Sequence, residues 1–178
     1  FLVGGKAPAA GTPMPKTPNM SHASLSAESM PLVEAGNAFS LKLFGTLLEN
    51  RASSANLVLS PISIETALGM NTTGLSDEAF DEYRSALKLP ATQSIASVAR
   101  YYQQLNAVMC SAGEYACYFP SNSFWVSSKY QSHLIESYPR QLYDFFGAPT
   151  ATLDLSDPAS YEAVNAWISR KTYGKIPH

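Results

Sequence analysis

The stretch 56-NLVLSPISIETALGM-70 sets the terms for the whole chain. Leu57-Val58-Leu59 is short, wholly apolar and bounded by polar residues, the pattern of a strand buried on both faces. Ser60-Pro61 comes next. Serine at an N-cap with proline at the first helical position starts a helix, because the hydroxyl can accept a free backbone N–H and the ring presets φ where no donor is missed. Ile64, Ala67 and Leu68 continue that helix inward, and Gly74 is a stop. A strand buried on both faces needs neighbours in a sheet.

Upstream, Phe39, Leu43 and Leu47 recur at i, i+4 and i+8 with Phe44 and Leu48 beside them. That spacing predicts one helix with a wide apolar face, with order beginning near Glu34. Residues 1–33 hold five of the 12 prolines, among them the run 7-APAAGTPMPKTP-18, and no apolar period. They read as a flexible Pro/Gly-rich leader, and residues 34–178 as the folded portion. The first residue is Phe1 rather than Met, which suggests a processed or cut N-terminus.

Downstream, Ser76-Asp77-Glu78 opens a helix with its acids at the positive end of the dipole; Phe80, Tyr83 and Leu87 form its stripe and Pro90 ends it. Ile95, Val98, Tyr102, Leu105 and Met109 mark another helix. Asn122-Ser123-Phe124-Trp125-Val126 reads as a strand from its aromatic and β-branched content. Tyr130, Leu134 and Tyr138 predict a short helix ended before Pro139, and Thr152 to Leu155 alternate like a strand. Asp157-Pro158 repeats the cap-plus-proline signal, opening a helix that carries Tyr161, Val164 and Trp167 and stops at Gly174. The class is therefore α+β with helices in the majority. The strands are too few for a sheet of their own, and the expected place for their missing partners is beyond His178.

Composition narrows the function. The 178 residues carry 12 Lys+Arg against 14 Asp+Glu, a formal charge of -2, so no basic excess exists to neutralise a nucleic-acid backbone. No apolar run approaches the roughly 18 residues of a membrane-spanning helix. Cys110 and Cys117 could close a small loop or remain free thiols, and no C-x-x-C pair suggests zinc or redox work.

Nothing in the chain reads as a catalytic constellation, and no metal or cofactor is expected. His133 is the one histidine inside a predicted element and reads as a surface residue. G-x-S-x-G is absent. Ser85-Ala86-Leu87-Lys88 matches S-x-x-K, in which a lysine could activate the serine, but no Ser-Asp-Asn comes after it and Lys171-Thr172-Tyr173-Gly174 departs from Lys-Thr-Gly by an inserted Tyr. A helix surface is the better account of Ser85 and Lys88.

Four segments in order carry a family resemblance: 37-NAFSLKLFGTL-47, 56-NLVLSPISIETALGM-70, 122-NSFWV-126 and 161-YEAVNAWISRKTYGKI-176. Together they resemble the N-terminal part of a serpin, in which N-x-F-S-x-x-L-F is followed by N-x-x-x-S-P-x-S-I, then N-S-x-W-V, then V-N-x-W-x-x-x-x-T-x-G-K-I. Residues Thr73 to Asp77 depart from the family pattern.

The resemblance implies a fold of three β-sheets and about nine helices in the complete protein, with a reactive loop that inserts into the central sheet. It implies that the Phe124-Trp125-Val126 strand lies in that sheet, that the Asp157–Gly174 helix crosses its front, bringing Trp125 and Trp167 into the packing between them, and that Asn56, Ser60 and Ser63 fall in the shutter region where the central strands part. For Ser60 the shutter role stands beside the helix cap, and for Ser63 beside a hydroxyl offered to a passing strand backbone.

The implied activity is suicide inhibition of a serine or cysteine protease by a metastable fold, without cofactor. The reactive site is absent from this chain, and the partners are the target protease and the C-terminal remainder of the same protein. A non-inhibitory serpin, a carrier or chaperone-like binder, is the alternative. The leader and the processed start suggest a secreted, extracellular, periplasmic or cell-surface protein, although the family also has cytosolic members.

Overall fold

Two short strands and a set of helices make up the computed structural model, which describes residues 24–51, 56–111, 118 and 120–177. The chain divides into two units, His22–Met109 and Phe1–Ser21 with Cys110–His178.

In the first unit a 3-10 turn, Ala27–Ser29, leads into α1, Met30–Glu49. The helix starts ahead of Glu34, because Pro31 sits in its first turn, where a proline lacks nothing a helix needs. Residues 27–33 of the expected leader are thus helical, while residues 1–23 lie outside the described residues. Leu32 and Ala35 are buried, whereas Leu41, Phe44, Leu47 and Leu48 toward the C-terminal end stay exposed. The helical period is as expected, but much of its apolar face is uncovered.

The expected strand at Leu57-Val58-Leu59 does not form. No secondary structure is assigned there, and Val58 is 94% exposed. Among the described residues no strand pairs with it, and an apolar triplet without a ladder partner has nothing to hold it as a strand.

Pro61–Thr72 forms α2, Asp77–Leu87 α3 and Ile95–Ser111 α4. The inward face of α2 is not the expected one. Glu65, Thr66, Gly69, Met70 and Thr72 are buried, while Ala67 is exposed and Ile64 and Leu68 are half-buried. Ser76 caps α3 by accepting the Ala79 N–H, and Lys88 ends it in the left-handed region at φ 55°. Arg84 ties α3 to the turn after it, donating to the carbonyls of Ala91 (2.9 Å) and Gln93 (3.1 Å) and pairing with Asp81. At the start of α4, Ser94 and Ser97 exchange backbone-to-hydroxyl bonds of 2.9 and 3.2 Å, which satisfies donors a helix start leaves open. Phe80, Val98, Ala99, Tyr101 and Tyr102 join Leu32, Ala35 and Met70 in this unit's core.

The second unit holds a two-stranded parallel sheet. β1, Phe124–Ser127, pairs with β2, Thr150–Leu153, in the register Phe124↔Thr150 to Ser127↔Leu153. Parallel strands need a long crossover, supplied by a 3-10 helix, Ser128–His133, and α5, Tyr138–Phe146. The helix expected to end before Pro139 instead begins there, again because proline fits a first turn. Gly147, at φ 60°, closes α5. β2 starts ahead of the expected Thr152. It ends before Asp154, whose carboxylate accepts the backbone N–H of Ser156 at 3.0 Å and its hydroxyl at 2.6 Å, turning the chain out of the strand. Pro158–Lys171 forms α6, capped by Asp157 as predicted, its carboxylate accepting the Ala159 N–H at 2.9 Å. Val126, Tyr138, Leu142, Phe146, Ala148 and Trp167 form the core.

Candidate functional site

Three constellations carry the expected roles: the start of α2, the face of α6 and the cysteine pair. At the start of α2, Asn56, Ser60 and Ser63 are all exposed. Ser60 occupies the N-cap position, and its carbonyl accepts the N–H groups of Ser63 (3.2 Å) and Ile64 (3.4 Å). Its side chain does not cap the helix. The two hydroxyls face each other instead, Ser60 Oγ to Ser63 Oγ at 2.8 Å. The pair is an exposed polar tip that can donate to, or accept from, a backbone passing over the helix.

On α6, the Trp167 ring meets Trp125 of β1 edge to face, centroids 5.9 Å apart at 86°. Edge-to-face contact sets the positive rim of one ring against the negative face of the other. Trp167 is buried, with the Lys171 ammonium 6.0 Å from its ring centre. Its indole Nε1 is buried with no hydrogen-bond partner among the described residues, as is Thr150 Oγ1 on β2.

Cys110 has a half-buried free thiol whose pKa burial pushes up, which favours the unreactive thiol form. Cys117 lies outside the described residues, so the pair itself is not described. His133 is exposed beside Tyr130. Ser85 is exposed near the end of α3, and Lys88 is exposed just past it. Among the described residues no His, Cys, Asp and Glu group could hold a metal, and no helix is long and apolar enough to cross a membrane.

The residue that sequence reasoning missed is Glu65. It lies on the buried face of α2, accepts a 2.6 Å hydrogen bond from Ser40 of α1, and is 7% exposed. The available signal was the row of small residues on its face. Gly69 and Thr72 stand at i+4 and i+7, a pattern that admits close neighbours.

The family model for Serpin (serine protease inhibitor) matches residues 34–178. The chain belongs to the serpin family. It is 32% identical over 131 residues to serine protease inhibitor 42Dd of Drosophila melanogaster, covering 73% of this chain and 34% of that protein. It is 28% identical over 148 residues to the leukocyte elastase inhibitor of Sus scrofa, covering 82% and 38%. Its fold matches that of cleaved kallistatin complexed with heparin with a TM-score of 0.72 at 18% identity, over 83% of this chain and 43% of that one. The chain thus spans little more than a third of the length of these curated relatives. The helix-rich architecture with one small sheet is that of a partial serpin fold.

Proposed function

We propose that the protein containing this chain is an inhibitory serpin that traps a serine or cysteine protease as a covalent acyl complex. The protease's nucleophile attacks the scissile carbonyl of a reactive loop outside this sequence, the peptide C–N bond breaks, and the new amine end leaves as an ester or thioester forms. Before water reaches that bond, the loop enters the central sheet as an added strand and carries the protease with it.

The observation that carries this proposal is the match to the family over residues 34–178, with inhibitors among the relatives. Two features of the chain support it. β1 and β2 pair in parallel, strands of the kind that an inserted loop would extend. The Ser60–Ser63 hydroxyl pair stands exposed at the start of α2, where a shutter role needs hydroxyls that can exchange one strand's backbone for another's. Asn56 is proposed as the third member of that region, and the Trp125–Trp167 contact as the packing of the front helix on the central sheet. The chain itself supplies no catalytic residue to this scheme. The partners are the target protease and the C-terminal remainder, and the proposed location is extracellular.

The test mixes the complete protein with trypsin-, chymotrypsin- and elastase-like enzymes and with cysteine proteases. A complex that survives denaturing electrophoresis is expected with at least one. No complex with any enzyme, together with an unfolding midpoint that fails to rise after loop cleavage, would overturn the proposal in favour of a non-inhibitory carrier.

A further inference from the structure

Glu65 is the only titratable side chain on α2, and it points into the helical core rather than to water. Its Oε1 accepts the Ser40 hydroxyl at 2.6 Å. Its Oε2 lies over Gly36 of α1, so close that a Cβ at residue 36 would stand 2.6 Å away. The remaining walls are aliphatic and aromatic, with Leu32, Leu87, Leu89 and Val98 among the aliphatic ones. Tyr101 and Tyr102 of α4 line the same small cavity as Glu65, Gly36 and Phe39, and Tyr83 of α3 stands near. Each of these phenols is held neutral well beyond physiological pH, Tyr83 and Tyr101 pushed up to about 12 chiefly by burial and Tyr102 raised further.

Among the described residues of this unit no cation is seated against the carboxylate. Lys42 on α1, Arg51 just past it, Lys88 after α3 and Arg100 on α4 are exposed, and Arg84 is engaged with Asp81 and the turn carbonyls. A buried carboxylate with one hydroxyl donor and no counter-ion is held at a cost that a proton removes.

We propose that Glu65 is a proton-operated clasp between α1 and α2, tightening the helical unit in acid and loosening it toward neutral pH. The direction comes from linkage. Burial raises the Glu65 pKa above its ordinary 4.5, outweighing the Ser40 hydrogen bond that lowers it. The folded state therefore binds the proton more tightly than the unfolded chain does. Stability from this group is complete at and below the ordinary value and is lost as pH rises through the raised one. Gly36 is part of the device, because any side chain there would drive the carboxyl out of its seat.

The complete protein with Glu65→Gln tests this, since the amide can still accept from Ser40 and carries no charge. Its thermal midpoint is expected to exceed that of the natural protein by about 2 °C near pH 7.5, with the gap closing as pH falls toward the ordinary value of 4.5. A gap of the same size at both pH values, or none at either, overturns the clasp. Should the glutamine variant not fold, carboxyl titration of the natural protein by NMR decides: a Glu65 signal titrating above 4.5 supports the clasp, and one at or below 4.5 overturns it. Both readouts track folding or protonation alone, so a failure to trap proteases neither imitates nor hides the result.

Discussion

Leu57-Val58-Leu59 and Phe124-Trp125-Val126 are both short, wholly apolar runs, yet only the second becomes a strand. The difference lies in the path of the chain beyond each run. After Ser127 it crosses through α5 and returns as β2, so the backbone groups of β1 find partners and Val126 is 6% exposed. After Leu59 it enters α2 directly, no returning strand pairs with the run among the described residues, and Val58 is left in water. Strand propensity measures how well a residue fits a sheet surface and does not itself supply the sheet. The second run becomes a strand because its crossover brings back a partner for it.

The strongest way to break the contrast is to unseat the crossover. Phe146 at the end of α5 is 1% exposed, and its carbonyl accepts from the Asn122 side chain at 3.0 Å, tying the crossover to the lead-in of β1. Phe146→Ala is expected to cost about 3–5 kcal/mol, read as a lowered urea midpoint. Amide exchange across residues 124–127 should rise with it, bringing β1 to resemble 57–59. Fast exchange confined to α5, with β1 still protected, would show that the strands pair without their crossover.

A smaller change sharpens the same contrast. Val126→Ala removes two methylenes' worth of buried surface and is expected to cost about 2 kcal/mol. Val58→Ala, with the side chain in water as it is here, should stay within about 0.5 kcal/mol. In the complete serpin Val58→Ala is expected to approach the cost at Val126, because the run would there join a sheet. Equal, negligible costs at Val58 in both settings would remove 57–59 from any sheet.

These elements also show how far the fold was legible. Every predicted helix start that placed a capping residue before an apolar period has its helix: Ser76, Asp157 and the serine before Pro61 all lie where expected. Such signals are local, so the chain around them suffices. Pro139 is ambiguous because a proline ends a preceding helix and begins a new one with equal ease, and only the fold selects between them. The buried face of α2 is not marked by its apolar residues, for a different reason. Its apolar residues spread around the helix, and the inward side is chosen by the neighbour that needs the closest approach. Tyr102 makes that choice, its ring only 2.3 Å from where a Cβ on Gly69 would stand. Glu65 turns inward with Gly69, so the signal for this buried carboxyl is the glycine four residues away rather than any apolar period. The Ser60 and Ser63 pair is legible from the family pattern, while the contact between their hydroxyls is a matter of side-chain geometry that no spacing encodes.

The smallest effect separates the two cap-plus-proline signals, which read alike and act differently. Asp157 accepts the Ala159 N–H, whereas the Ser60 hydroxyl turns to Ser63 and leaves the α2 start uncapped by a side chain. Asp157→Ala should therefore lose about 1 kcal/mol by removing a bond the helix start relies on. Ser60→Ala should lose only a few tenths in equilibrium stability, since an exposed hydroxyl pair trades freely with water. Chemical denaturation of the two variants in parallel gives the difference directly. If Ser60→Ala costs as much as Asp157→Ala in the complete protein, its hydroxyl is bonded there to something more than Ser63, as a strand crossing the start of α2 would require. The serine then serves the sheet rather than the helix it introduces.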